Sequence, residues 1–122
     1  MPLCHLLLSS SAHCLLSQAY FQAWNAHDKE AVKALHAVQS TLKDWDGSHG
    51  PTNEDVASGI AGIWEAVPKI QIEIVSVFEC AEEPSCVVQI KVVVDESTTL
   101  NVCDVFTFDD AGKVASIVAY KA

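Results

Sequence analysis

Between Leu100 and Phe108 an acid stands where the pattern calls for apolar side chains. The even positions are Leu100, Val102, Asp104, Phe106 and Phe108. Residues two apart on a strand share a face, so Asp104 points where its apolar neighbours point. An ionised carboxylate is costly there; it must stay protonated, find a donor, or open onto a cavity. The odd positions Asn101, Cys103, Val105 and Thr107 form a more mixed face, so the opposite register would bury less apolar surface. The same pattern also fits a satisfied structural acid or part of a dimer seam.

Two further polar residues sit in comparable places. In Leu42-Lys43-Asp44-Trp45-Asp46, Leu42, Asp44 and Asp46 share one face and Lys43 and Trp45 the other. Acids just before a Gly-rich loop also serve as turn and cap residues. Tyr20 lies in an apolar stripe with Leu16, Ala19, Ala23 and Trp24. A tyrosine so placed is either core with its hydroxyl satisfied locally or a donor into a cavity.

Composition narrows the chemistry. The chain has 122 residues, half of them apolar, which suits one domain over 1–122 with one core. Its net charge is −9, from sixteen acids and seven lysines, with no arginine. Nucleic acid and anionic membranes attract basic surfaces and are poor partners. Without arginine or a Gly-rich phosphate loop, a nucleotide or phosphorylated substrate is disfavoured. Cys4, Cys14, Cys80, Cys86 and Cys103 lack CxxC spacing and read as small buried hydrophobes in a reducing compartment, although Cys80 and Cys86 flank a turn and could pair. His5, His13, His27, His36 and His49 show no ligand spacing, so no metal is expected. The opening MPLCHLLLSSSAHCLL has no positive n-region and only a three-leucine apolar run, so it reads as the start of a helix in a cytoplasmic protein.

The elements that must position the three polar residues come helices first, then strands, an α+β order. Helical spacing predicts helices near 11–27, 28–38 and 53–66. Asp28 is the expected N-cap of the second, with Val32, Leu35 and His36 facing inward. Thr52 and Asp55 form a capping-box pair opening the third, which Pro68 ends. A short strand is expected near 41–46. Beyond Pro68 the period drops to two, predicting strands near 69–81, 85–95, 98–109 and 113–121, with Asp109-Asp110-Ala111-Gly112 as a tight turn. The expected sheet is curved and mostly antiparallel. Val75, Phe78, Val87, Val93, Val105 and Val118 would lie partly on its outer face, an apolar patch that predicts a homodimer.

Taken together, these segments resemble a known family. Tyr20-x-x-Ala23-x-Asn25-Ala26-x-Asp28, followed by Ala34-Leu35-x-Ala37, is similar to the opening of bacterial ketosteroid isomerases. Asp104-x-Phe106-x-Phe108-x-x-Ala111-Gly112-Lys113-Val114-x-Ser116 resembles the segment carrying that family's second aspartate. The resemblance, to ketosteroid isomerase-like and SnoaL-like members of the NTF2-like superfamily, implies a cone-shaped fold with three N-terminal helices packed on the sheet. It implies Asp44 as general base and Tyr20 with Asp104 as an oxyanion hole. The base would take a proton beside a ketone and return it elsewhere while Tyr20 and a protonated Asp104 hold the enolate oxygen, the arrangement by which this family keeps a carboxylic acid neutral. Such an enzyme needs no cofactor. A small apolar molecule is the expected partner, with Trp24, Trp45, Asp46, His49 and Phe106 as ligand-facing residues. Trp45 stands where the family often has proline; it either stacks on a ligand or covers the outer sheet face. His49 is either a further proton-transfer group or a solvated loop histidine. The alternatives are a SnoaL-like polyketide cyclase or hydrolase using the same pocket, and a non-catalytic ligand-binding or dimerisation module.

Overall fold

The computed structural model describes residues 12–80 and 82–122. Within them the order is α1 (Ala12–Asn25), α2 (Lys29–Leu35), β1 (His36–Lys43), β2 (Ser48–His49), α3 (Asn53–Ala66), β3 (Gln71–Glu79), β4 (Ser85–Val93), β5 (Thr99–Phe108) and β6 (Val114–Lys121). The reading of residues 1–11 as a lead into the first helix lies outside the described residues. None of the described helices is long and apolar enough to cross a membrane.

Local chemistry sets the helix ends. The amide of Asp28 donates to Ala23 O and that of His27 to Trp24 O, closing α1 in a Schellman turn. His27 takes the left-handed conformation usual for glycine there, at φ 54°. Its ring stacks on Trp64 at 4.9 Å and its Nε2 bonds Ile70 O at 3.0 Å, contacts that offset the backbone strain. Asp28 also caps α2, its Oδ1 accepting from Ala31 N at 3.1 Å. The capping box of Thr52 and Asp55 opens α3. Val67, out of helical conformation at φ −133° and ψ 78° ahead of Pro68, ends it.

The sheet has six strands in the order β2-β1-β6-β5-β4-β3. All neighbours are antiparallel except β1 and β6, which run parallel. At the β3 edge the Asn25 side chain acts as a substitute strand partner, donating to Ile72 O at 2.8 Å and accepting from Ile72 N at 2.7 Å. A bulge between Ile74 and Ser76 shifts the pleat, so Ile72 and Val77 both face the core despite unlike parity. The expected turn forms at Asp109, whose Oδ1 accepts from Ala111 N and Lys113 N, with Gly112 at φ 79°. Cys80 carries a free, exposed thiol.

Two boundaries differ from the sequence reading. The second helix ends at Leu35 rather than near 38, and His36 already belongs to β1. The first strand therefore covers His36–Lys43 instead of 41–46, and Asp44 lies in the turn that follows it. The cause is tertiary. His36 pairs with Val114 on β6 and Ser40 N donates to Pro51 O at 3.0 Å, partners invisible to helical spacing. The two-residue strand β2, paired with Leu42 and Lys43, has no pattern long enough to read.

Candidate functional site

β5 delivers Asp104 as its alternation predicts: Val102, Asp104, Phe106 and Phe108 are buried on one face. α1 delivers Tyr20 from its buried stripe of Cys14, Ser17, Tyr20, Phe21 and Trp24. The turn after β1 delivers Asp44. These residues line one cavity of about 580 Å³. Most of its wall is aliphatic, from Ile60 and Ile63 on α3, Ile72 on β3, Ile90 and Val92 on β4, and Val102 on β5.

Asp104 is 7% exposed, and its Oδ1 is sealed from solvent with no partner among the described residues. Burial, and secondarily the charge of Asp44, push its carboxyl up to about 7. It is therefore a neutral acid over the mildly acidic range and a hydrogen-bond donor there. Burial, and secondarily the Asp104 charge, push the Tyr20 hydroxyl far above its ordinary range, so it keeps its proton. The Tyr20 ring is fixed edge-on by Phe21, His36 and Phe106 at 5.6, 5.3 and 5.4 Å. Asp44 is half-buried, and its Oδ1 accepts from Asp46 N at 2.8 Å and Gly47 N at 2.9 Å. Those bonds hold one oxygen in the turn and leave Oδ2 without a partner among the described residues.

The other expected ligand-facing residues divide. Trp24, Trp45, Asp46 and His49 line the cavity. Trp45 is 41% exposed at its rim, with Lys121 Nζ 5.5 Å from the ring centroid. His49 lies with its ring against Gly59 of α3. Phe106 is the correction. It is fully buried and does not line the cavity; it stacks on Phe108 and supports Tyr20 and Phe21 from behind. Alternation gives the face a side chain points to, but not how deep it lies.

The family described as SnoaL-like domain matches residues 17–117, a span that holds Tyr20, Asp44 and Asp104. The chain belongs to the SnoaL-like family. Its fold is shared with a SnoaL-like protein of unassigned function from Burkholderia thailandensis, at 18% identity, TM-score 0.79, covering 91% of this chain and 95% of that one. A protein from Agrobacterium tumefaciens provisionally called an isomerase of the SnoaL-like family matches at 16% identity and TM-score 0.77, over 91% of this chain and 97% of its own. Another from Sinorhizobium meliloti, provisionally called a polyketide cyclase, matches at 17% identity and TM-score 0.74, over 86% and 93%. At such identities the likeness is one of fold. No curated protein matches.

Sequence reasoning missed His36. Its Nε2 lies 2.9 Å from the Tyr20 hydroxyl, and burial pushes its imidazole down to about 4. The available signal was that Tyr20 and His36 both face inward on successive elements. Nothing in the spacing said that they meet.

Proposed function

We propose that the protein shifts a proton on a small apolar carbonyl compound, with Asp44 as base and Tyr20 and Asp104 as donors to the oxygen. The observation that carries this reading is one apolar cavity lined by Tyr20, by Asp104 with its carboxyl pushed up to about 7, and by the second carboxylic residue Asp44. Asp44 Oδ2 would take a proton from the carbon beside the ketone. The electron pair of that C–H bond moves onto the carbonyl oxygen, giving a dienolate that accepts from Tyr20 and Asp104. The proton then returns from Asp44 to the far carbon of the conjugated system, and the double bond ends in conjugation with the ketone. Nothing is gained or lost overall. Donors aimed at the developing charge in a dry site are worth about a hundredfold or more each in rate.

The cavity size lies within the roughly 300–1,000 Å³ common for small-molecule sites. Its ionisable lining residues are Asp44, Asp46, Asp104, His49 and Tyr20, with no lysine. An anionic ligand is disfavoured there, which favours a neutral ketone. Incubation with a β,γ-unsaturated ketone, followed in the ultraviolet, should show conjugation growing with time. A planar phenol, which mimics the dienolate, should bind and inhibit. A protein that binds the phenol without turning over any such ketone would be a ligand-binding module, and one that does neither sinks the reading.

The reading includes a homodimer through the outer sheet face. Phe78, Val87, Val105 and Val118 are paired in register across β3, β4, β5 and β6 and form one apolar row. Phe78 is 56% exposed, and Val75 and Tyr120 are also exposed on β3 and β6. A second copy of this chain is the occupant proposed for that row.

A further inference from the structure

His36 is sealed in the core at 3% exposure, and its two ring nitrogens have unlike surroundings. Nε2 faces the Tyr20 hydroxyl at 2.9 Å. Nδ1 is buried with no hydrogen-bond partner among the described residues. A neutral imidazole carries one N–H and one bare nitrogen, so the unpartnered position decides which is which.

Were the proton on Nδ1, a buried N–H would be orphaned, which folded proteins rarely tolerate. The Tyr20 hydroxyl would then spend its proton on the bare Nε2 and present only lone pairs to the cavity. With the proton on Nε2 the buried Nδ1 is a bare acceptor, the less costly orphan. His36 then donates to the Tyr20 oxygen from behind, and the hydroxyl proton has no other partner among the described residues. An imidazolium would place an unpaired charge in the core, and the lowered pKa of about 4 excludes it at neutral pH.

We propose that His36 is a positioning residue that donates its Nε2 proton to the Tyr20 hydroxyl oxygen, leaving the hydroxyl proton aimed at the ligand oxygen. The inference deepens the function proposed above and rests on it for the identity of the ligand oxygen. An N–H placed on the phenolic oxygen also polarises its O–H, since linked hydrogen bonds strengthen one another. The two rings also meet edge-on, with centroids 5.3 Å apart.

Two measurements test it. In protein labelled with 15N at histidine, the His36 ring at neutral pH should show a protonated Nε2 and a bare Nδ1. A protonated Nδ1 overturns the donor direction whatever the ligand does. The second measurement is affinity for a planar phenol. His36→Phe should weaken it by about tenfold, the scale of one lost hydrogen bond, whereas His36→Gln, whose amide can still donate, should retain most of it. In a Tyr20→Phe background His36→Phe should change the affinity hardly at all. An equal loss with and without the Tyr20 hydroxyl makes His36 merely structural and overturns the proposal. A wild-type protein that ignores the phenol but shows a protonated Nε2 overturns the enolate reading while supporting the donor direction.

Discussion

His36 and Asp104 act on the same hydroxyl with opposite displacements of their own protons. His36 Nε2 lies 2.9 Å from the Tyr20 oxygen, and the Asp104 charge adds to burial in raising the Tyr20 pKa. The Asp104 carboxyl moves from an ordinary 3.8 up to about 7, and the His36 imidazole from 6.5 down to about 4. Both are neutral in mild acid, because burial opposes the charged form of each.

Stability against pH should reveal both shifts. Between 3.8 and about 7 the folded protein holds a proton on Asp104 that the unfolded chain has released, so this group makes stability fall as pH rises. Between about 4 and 6.5 the unfolded chain takes up a proton that folded His36 refuses, so His36 makes stability rise with pH. Each slope approaches ~1.4 kcal/mol per pH unit, and they oppose one another over the shared window. Asp104→Asn should therefore uncover a stability that climbs with pH relative to wild type, and His36→Gln one that falls. Urea denaturation at several pH values between those limits reads the difference directly. Parallel profiles for wild type and both variants would show that neither group is shifted.

Asp44 has a separable role. Asp44→Asn keeps an oxygen to accept from Asp46 N and Gly47 N, so the turn should survive. It also removes the proposed proton acceptor and the negative charge that helps raise the Asp104 pKa. Turnover should fall by a factor of about a hundred to ten thousand, while phenol affinity stays the same or improves. Comparable turnover in the variant would remove Asp44 from the mechanism.

At Asp104 the two substitutions should rank. Asp104→Asn retains a donor at a position whose neighbours exclude water, and activity should persist in part. Asp104→Leu removes the donor and should lose about tenfold more, although it relieves the unsatisfied Oδ1 and should raise stability. Initial rates on one unsaturated ketone, with thermal melts alongside, distinguish donation from a packing effect. Equal rates in both variants would mean that the carboxyl donates nothing.

The sequence showed most of the sheet because its signals are local. Alternation from Gln71 to Lys121 marks four strands, the Asp109 turn marks one hairpin, and Thr52 with Asp55 marks a helix start. The inward face of Asp104 follows from the same period. What stayed hidden depends on contacts far along the chain. The switch from α2 to β1 at His36 is set by pairing with Val114, and the bulge after Ile74 changes which side chains reach the core. Phe106 was expected at the ligand and lies behind Tyr20, because depth depends on what packs above a face. The contact between Tyr20 and His36 spans sixteen residues and two elements, and no spacing rule connects them.

Gly59 offers a test of the cavity wall. It lies within α3, where alanine is ordinarily favoured over glycine by about 1 kcal/mol. A Cβ at Gly59 would collide with the His49 ring, which lines the cavity. Gly59→Ala should therefore gain little stability and weaken phenol binding as His49 is displaced. Unchanged affinity together with the full helical gain would show that His49 moves freely and is no part of the wall.

The proposed dimer makes a prediction about salt as well as mutation. Each copy carries a formal charge of −9, so two copies repel at low ionic strength. The row of Phe78, Val87, Val105 and Val118 is apolar, and its contribution should survive when salt screens that repulsion. Association through this face should thus tighten as salt is raised, opposite to an interface held by ion pairs. Phe78 is 56% exposed in the single chain, so Phe78→Glu should cost the isolated fold no more than about 0.5 kcal/mol. In a dimer it would bury an unpaired carboxylate at the interface and place it against apolar side chains of the partner copy. Light scattering across a concentration series should give a dimer for wild type and a monomer for Phe78→Glu, with melting of the monomer otherwise normal. Wild-type protein that stays monomeric at micromolar concentration in high salt would leave the apolar row without the second copy assigned to it.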